Sequence, residues 1–464
     1  MGEWGYHCLN GDREVARQPN ILFVFSDQQR WDTVGCYGQQ LGVTPNLDRL
    51  AREGTRFENA FTPQPVCGPS RACLQTGRYA TELGCYRNGI GLREDEPTLA
   101  GWLSEAGYEV GYIGKWHLAS NDVPHLKMPV VDYQTSAIPP DRRGGYRDFW
   151  LASDLLEFTS HGYDGHMFDG EGKAREFPPG RYRVDAQTDW VLEYLQTRTG
   201  EKPFFLFVSY LEPHHQNDHN HFEGPRGSKD RFKDFAAPGD LEGTEGDWRE
   251  EYPDYLGCCH SLDENVGRIR GELERLGQWE DTLVLYTSDH GSHFRTRNAE
   301  YKRACQDSCL RVPLIAHGPG FGGGTVVSEL VSLVDLPPTV LRAGGVEAPE
   351  SMRGRPVQQL VEGDASGWPE EVFAQISESH CGRAIRTKRW KYSVRAPEGM
   401  GHPEFRDSEV YVEDFLYDLE ADPHERRNLV GEPGLAGERA RLAEVLKRRM
   451  EEAGESAPEI RPAE

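Results

Sequence analysis

The sequence contains no run of eighteen apolar residues, so nothing in it reads as a membrane span. Its first nineteen residues, MGEWGYHCLNGDREVARQP, lack the apolar stretch of a secretory leader. Basic charge is scarce: 52 Lys and Arg face 76 Asp and Glu, a net charge of −24, which argues against nucleic acid as a partner. The ten cysteines show no CxxC zinc spacing, and Cys258 and Cys259 are adjacent, which suits no disulfide framework. A reducing compartment follows. The expectation is a cytoplasmic chain as it stands, with export open if a leader was removed. There is no internal repeat and no low-complexity tract. What is present is enough for a packed interior: 37% hydrophobic residues, 10% aromatic, in 464 residues. That length suits one large α/β domain or two unequal ones.

Short apolar runs recur, each followed at once by polar residues. Ile21–Phe25 leads to Asp27 and Gln28, Tyr108–Ile113 to Lys115 and His117, and Phe204–Val208 to Glu212 and His214. Leu283–Tyr286 leads to Asp289 and His290, and Val312–Ala316 to His317. Such unalternating runs read as strands buried on both faces. Helical stretches lie between them, at 45–53, 97–106, 184–197 and 255–276. Alternating strands and helices predict an α/β fold: a large, mostly parallel sheet flanked by helices on both faces. In such sheets ligands bind beyond the carboxyl ends of the strands, so topology alone would deliver these polar clusters to one rim. After about residue 370 the texture changes to short strands separated by turns and a charged helix at 437–453. The reading is a catalytic domain over 20–370 and a smaller C-terminal antiparallel sheet plus helix over 371–464, with 455–464 fraying.

Residues 67–78 read CGPSRACLQTGR. A strand ending in acid at Asp27, this Cys-Pro-Ser-Arg element, Gly114-Lys115-Trp116-His117, Ser288-Asp289-His290-Gly291 and Leu416-Tyr417-Asp418-Leu419 follow one another along the chain. In that order they resemble the sulfatases of the alkaline-phosphatase-like superfamily, and the dodecamer matches the sulfatase activation signature without a mismatch. The resemblance implies that a maturation enzyme oxidises Cys67 to formylglycine. The hydrated aldehyde has one oxygen to attack the substrate and a second to expel the product.

The resemblance also implies the remaining roles. Asp27, Gln28, Asp289 and His290, with residue 67, would hold one divalent metal ion. Carboxylates and an amide oxygen suit calcium first, with magnesium or manganese open, and the imidazole of His290 tilts toward manganese. Many sulfatases carry Asp in place of Gln28 and Asn in place of His290. The Gln and His pair occurs in choline-sulfatase-like and phosphonate-monoester-hydrolase-like enzymes, which leaves the metal and the ester open. Arg71 would hold the diol and Lys115 a sulfate oxygen. His117 would take a proton as base, and His214 would protonate the leaving alcohol. Lys302 would touch sulfate and leaving oxygen, with Arg303 as its rival. Pro69 and Ser70 open a helix whose free N–H groups would face the anion. His215, His219 and His221 fit no standard metal spacing and read as loop or substrate contacts. Asp307 and Arg311 are either support or surface, and His380, Arg383 and Arg386 either reach the far side of the substrate or lie on a solvated face.

The sequence therefore predicts a sulfuric ester hydrolase acting on a small or carbohydrate sulfate, with a formylglycine-generating enzyme as its maturation partner. A phosphonate monoester or phosphodiester hydrolase using the same site is the alternative. A non-catalytic metal-binding relative is the reading from a different class.

Overall fold

The computed structural model describes residues 18–123, 128–397 and 405–463, which leaves Cys8 outside. The strands of the large sheet are β1 (Asn20–Ser26), β2 (Thr55–Phe61), β3 (Glu109–Lys115), β4 (Phe149–Ser153), β5 (Ser160–His161) and β6 (Asp164–Asp169). They continue with β7 (Ala174–Glu176), β8 (Phe204–Ser209), β9 (Thr282–Ser288), β10 (Arg311–Val312), β11 (Leu314–His317) and β12 (Thr325–Ser332). The central order is β9-β1-β8-β3-β4, all parallel. Antiparallel strands complete both margins, so the 12-stranded sheet as a whole is mixed.

Alternation along β1 shows how the sheet is covered. Ile21, Phe23 and Phe25 enter one core with Ala72, Leu103 and Leu341 from the helices Cys67–Thr76, Leu99–Glu105 and Leu336–Ala343. Leu22 and Val24 enter the other, against Leu50, Val191 and Leu262 from the helices Pro45–Glu53, Arg183–Thr197 and Trp248–Arg275. Phe23 stacks on Phe207 with ring centroids 4.7 Å apart. Removing such a ring costs about 3–5 kcal/mol.

Three details depart from the sequence reading. The run Val312–Ala316 is not one strand: Pro313, which has no N–H to give a ladder, divides it into β10 and β11. Because β11 runs antiparallel to β9, His317 lies at the rim opposite Asp289 rather than beside it. The helix expected from Tyr255 begins at Trp248 despite Pro253, because Trp248 and Tyr252 bury against Phe232 and Phe294.

A second sheet of five strands starts at Glu371: β13 (Glu371–Ile376), β14 (Gly382–Thr387), β15 (Trp390–Arg395), β16 (Val410–Asp418) and β17 (Glu459–Arg461). The first four are antiparallel, and β17 adds parallel to β16. The helix Ala436–Glu452 covers this sheet through Leu442, Leu446 and Met450. The C-terminus, expected to fray, is tied down instead: buried Glu455 pairs with Arg383 at 2.7 Å, and 459–461 join the sheet. Among the described residues no helix is long and apolar enough to cross a membrane, and the cysteines form no disulfides.

Candidate active site

The parallel strands β1, β3, β8 and β9 end at one rim, and it is there that Asp27, Lys115, His214 and Asp289 gather. Cys67 comes to them from the side, as the first residue of its helix. That helix stops where the chain enters the left-handed region at Gly77 (φ 72°), where a Cβ would press on Met352. Ser70 Oγ donates to the Asp289 carbonyl at 2.9 Å, locking the helix start to the end of β9. The first turn is less open to an anion than the sequence suggests. Pro69 has no N–H, the Gly68 N–H is taken by Asn88 Oδ1 (3.0 Å), and that of Ser70 by the Val66 carbonyl (3.0 Å).

Residue 67 sits at a junction. Its Sγ lies 2.8 Å from Lys302 Nζ, 3.2 Å from His290 Nε2 and 3.4 Å from Asp27 Oδ1. Asp27 Oδ2 accepts from Lys115 Nζ (2.7 Å) and from Arg71 (2.9 Å). Burial raises the Asp27 carboxyl's pKa, but Lys115, His214, Arg71 and Lys302 together hold it well below the usual range. Asp289 Oδ1 accepts the backbone N–H groups of Gln28 (2.9 Å) and His290 (2.8 Å). Gln28 adopts φ 68°, and its side-chain amide donates to Ser292 Oγ at 3.3 Å.

Arg71 was expected to reach the nucleophile. Its Nη atoms instead bond Asp27, Asp289 (3.3 Å), Ser209 Oγ (2.7 Å) and the Lys115 carbonyl (2.9 Å), while its buried Nε has no partner among the described residues. It positions the two carboxylates, and it does not line the cavity.

Gly114, the penultimate residue of β3, has φ 116°, and a Cβ there would stand 1.9 Å from the carbonyl oxygen of Ser209 on the neighbouring β8. The end of β3 brings Lys115 and then His117 (φ 61°) into place. Burial, reinforced by Lys115 and Arg71, keeps the His117 imidazole neutral, its pKa well below the ordinary value. Its Nδ1 has no partner among the described residues.

His214 Nε2 lies 3.1 Å from Lys302 Nζ. Its Nδ1 lies 3.3 Å from Glu157 Oε2, close enough for an ion pair but outside hydrogen-bond alignment. Burial raises the Glu157 carboxyl, and the charge of His214 pulls it down further, to about 2. Glu157 comes from the four-residue helix Leu156–Thr159 and was not anticipated.

A cavity of about 430 Å³ opens over this junction. Gln28, Cys67, Lys115, His117, His214 and Lys302 line it, together with Asn88, His215, Asn217, Arg295, Tyr301 and Arg303. His215 stacks on Tyr301 with centroids 4.2 Å apart. Elsewhere, Arg383 is buried on Glu455, while Arg386 and Lys391 pair with Asp307. None of these lines the cavity.

The residues present fit a divalent cation. One ligand atom each from Asp27, Cys67, Asp289 and His290 lies within 4.8 Å of the others, all buried. His290 Nδ1 is engaged by the Gly291 carbonyl (2.9 Å), which leaves the Nε2 lone pair facing inward. Burial outweighs the pull of Asp289 and lowers its pKa to about 4, so the ring is neutral and able to ligate.

A doubly covered α/β sheet with this donor set at its carboxyl rim defines a hydrolase of the alkaline-phosphatase-like superfamily. Within it, the chain belongs to the sulfatase family, the sulfuric ester hydrolases: the Sulfatase family model matches residues 19–346. A second model, N-sulphoglucosamine sulphohydrolase, C-terminal, matches residues 299–454. The chain is 25% identical to N-acetylglucosamine-6-O-sulfatase of Bacteroides thetaiotaomicron, covering 97% of this chain and 90% of that one. The crystal structure of sulfatase yidJ from Bacteroides fragilis superposes with TM-score 0.78 at 25% identity, covering 94% and 96% of the two chains. The phosphonate monoester hydrolase of Agrobacterium radiobacter shares the fold, with TM-score 0.70 at 22% identity and coverage of 94% and 96%.

Proposed function

We propose that this sulfuric ester hydrolase acts on a carbohydrate sulfate, with Cys67 converted to formylglycine by a maturation enzyme. One observation carries the reading of the site. Lys302 is buried, its Nζ touches Cys67 Sγ and His214 Nε2, and no carboxylate lies within 4.0 Å of it among the described residues. A buried cation that no carboxylate touches directly, with Asp27 acting on it only from a distance, suits an anionic substrate beside a candidate nucleophile. The local cations Lys115 and Lys302 also answer the repulsion that a net charge of −24 would impose on a sulfate. The name of the Bacteroides thetaiotaomicron relative points to an amino-sugar sulfate as the first substrate to try.

Hydrated formylglycine supplies two oxygens on one carbon, one to attack sulfur and one to drive release. A divalent cation held by Asp27, Gln28, Asp289 and His290, with calcium first and manganese or magnesium as alternatives, supplies Lewis-acid polarisation. The rest falls to the chain. Lys115 and Lys302 bind the sulfate oxygens and stabilise the charge that develops on them. His214, oriented by Glu157, gives its Nε2 proton to the departing alcohol oxygen. His117, neutral and with Nδ1 unpartnered, takes the hydroxyl proton whose loss expels sulfate.

The test is a comparison of kcat/KM on N-acetylglucosamine 6-sulfate, an aryl sulfate and an aryl phosphonate, using protein co-produced with a formylglycine-generating enzyme. The sulfates are expected to win. Preference for the phosphonate would move the chain to the phosphonate monoester hydrolases that share its fold.

A further inference from the structure

Outside the cavity, one cluster of side chains is built like a metal centre. His161, the last residue of β5, faces Asp218 and His219 on the loop that follows β8. Each imidazole rests its Nδ1 on a carboxylate: His161 on Asp164 Oδ1 (3.3 Å) and His219 on Glu223 Oε1 (2.5 Å). A carboxylate there fixes the proton on Nδ1 and aims the Nε2 lone pair outward, the usual support of a metal-binding histidine. Both Nε2 atoms converge on the same oxygen, Asp218 Oδ2, at 2.8 Å from His161 and 3.9 Å from His219.

Asp218 is aimed in turn. Gln216 donates to its other oxygen, Oδ1, at 2.8 Å, and is itself anchored on the Glu157 carbonyl at 3.0 Å. Two ring nitrogens and one carboxylate oxygen are therefore gathered within 4.8 Å of one another, a cluster open to a single bridging cation. Protonating both rings would place two imidazolium ions in a parallel stack, with centroids only 4.2 Å apart and planes at 9°. A single proton on His161, which Asp218 and Asp164 favour, or one shared dication avoids that repulsion.

We infer that His161, His219 and Asp218 form a second metal site, of the zinc class, distinct from the cation site beside Cys67. Zinc bonds of about 2.0–2.1 Å arranged tetrahedrally separate their ligand atoms by roughly 3.3 Å. The two spacings around Asp218 bracket that value, and the parallel rings, both partly exposed, tilt toward each other when both lone pairs take one ion. Two imidazoles and one carboxylate, with a remaining position open to water, suit zinc rather than calcium. A neighbouring triad of His219, His221 and Glu223 competes less well. Glu223 already accepts from His219 and from the Gly162 N–H (2.6 Å).

The site would tie β5 to the loop bearing His214 and His215. Asn217, in the same loop, holds Glu157 Oε2 at 2.9 Å. A bound ion would thus stiffen one wall of the cavity from outside, whichever ester the cavity accepts.

The test uses the full chain carrying formylglycine at position 67, equilibrated with micromolar zinc in millimolar calcium beside a D289A control that disables the other site, followed by metal analysis of the gel-filtered protein. The wild type is expected to retain one zinc per chain and to gain thermal stability from it. H161A and H219Q are expected to retain none, D289A to keep its zinc, and E223Q to bind about 10- to 100-fold more weakly. All the substituted side chains of the new site are partly exposed or at its edge, and circular dichroism verifies their folding. Zinc-free wild type, or zinc retained equally by H161A and H219Q, overturns the assignment. Neither result depends on hydrolysis, so this inference and the sulfatase reading fail separately.

Discussion

Asp27 and Asp307 are both buried carboxylates gripped by cations, yet their oxygens are used differently. Asp307 gives Oδ1 to Lys391 and Oδ2 to Arg386, and its N–H donates to Glu425, which itself pairs with Lys391 at 2.7 Å. That network joins the C-terminal sheet to the start of the helix Asp307–Leu310 and consumes its own charges. Asp27 takes both of its closest cations on Oδ2, so Oδ1 is left facing Cys67 Sγ, His290 Nε2 at 3.8 Å and His214 Nε2 at 4.0 Å. Charge that neutralises itself holds parts together. Charge left over at a cavity is available to a ligand.

The sharpest way to separate the two is Cys67→Ala. Turnover of the best sulfate is expected to fall to background, with the circular dichroism spectrum and thermal midpoint nearly unchanged. The mass of the tryptic peptide containing residue 67 checks the cause. Active wild-type protein carrying only the unmodified thiol would remove formylglycine from the account.

A matched pair comes next, because Lys391 and Lys302 are both buried lysines with opposite surroundings. Lys391→Met strands Asp307 and Glu425 and is expected to cost about 3–5 kcal/mol in urea unfolding, with kcat/KM of the folded fraction preserved. Lys302→Met removes a cation that no carboxylate touches directly, Asp27 acting on it only from a distance. Stability is expected to hold or rise, while kcat falls about 100- to 1,000-fold. If both substitutions reduced stability and spared kcat, the distinction between the two networks would be lost.

The sequence made one of these networks far more legible than the other. Asp27, Lys115, His214 and Asp289 each follow a buried apolar run, and parallel topology brings such positions together without any knowledge of side-chain packing. Glu157 escaped because its four-residue helix lies in a stretch with no periodic pattern. Ser209 escaped because, as the last residue of β8, it reads as strand rather than as the acceptor that steers Arg71. His317 was placed at the wrong rim because an apolar run does not encode its direction, and β11 runs against β9. The tethered C-terminus turns on one buried pair, Arg383 with Glu455, whose partners lie 72 residues apart and leave no local trace.

The last test probes the structural network through pH. Burial and the neighbouring Asp307 raise the Glu425 carboxyl to about 7, even though Lys391 opposes them. In the unfolded chain a glutamate titrates near 4.3. A carboxyl raised on folding keeps its proton when the unfolded chain has lost it, so its contribution is fully present below the unfolded value and declines as pH rises toward 7. Glu425→Gln cannot titrate. The stability of the wild type relative to this variant is therefore expected to fall between about pH 4.5 and 7 and then level off. Denaturant unfolding of both proteins across that range measures the difference. A wild-type advantage that instead grew with pH would mean that Glu425 is ionised in the fold, bound to Lys391 as Asp307 is.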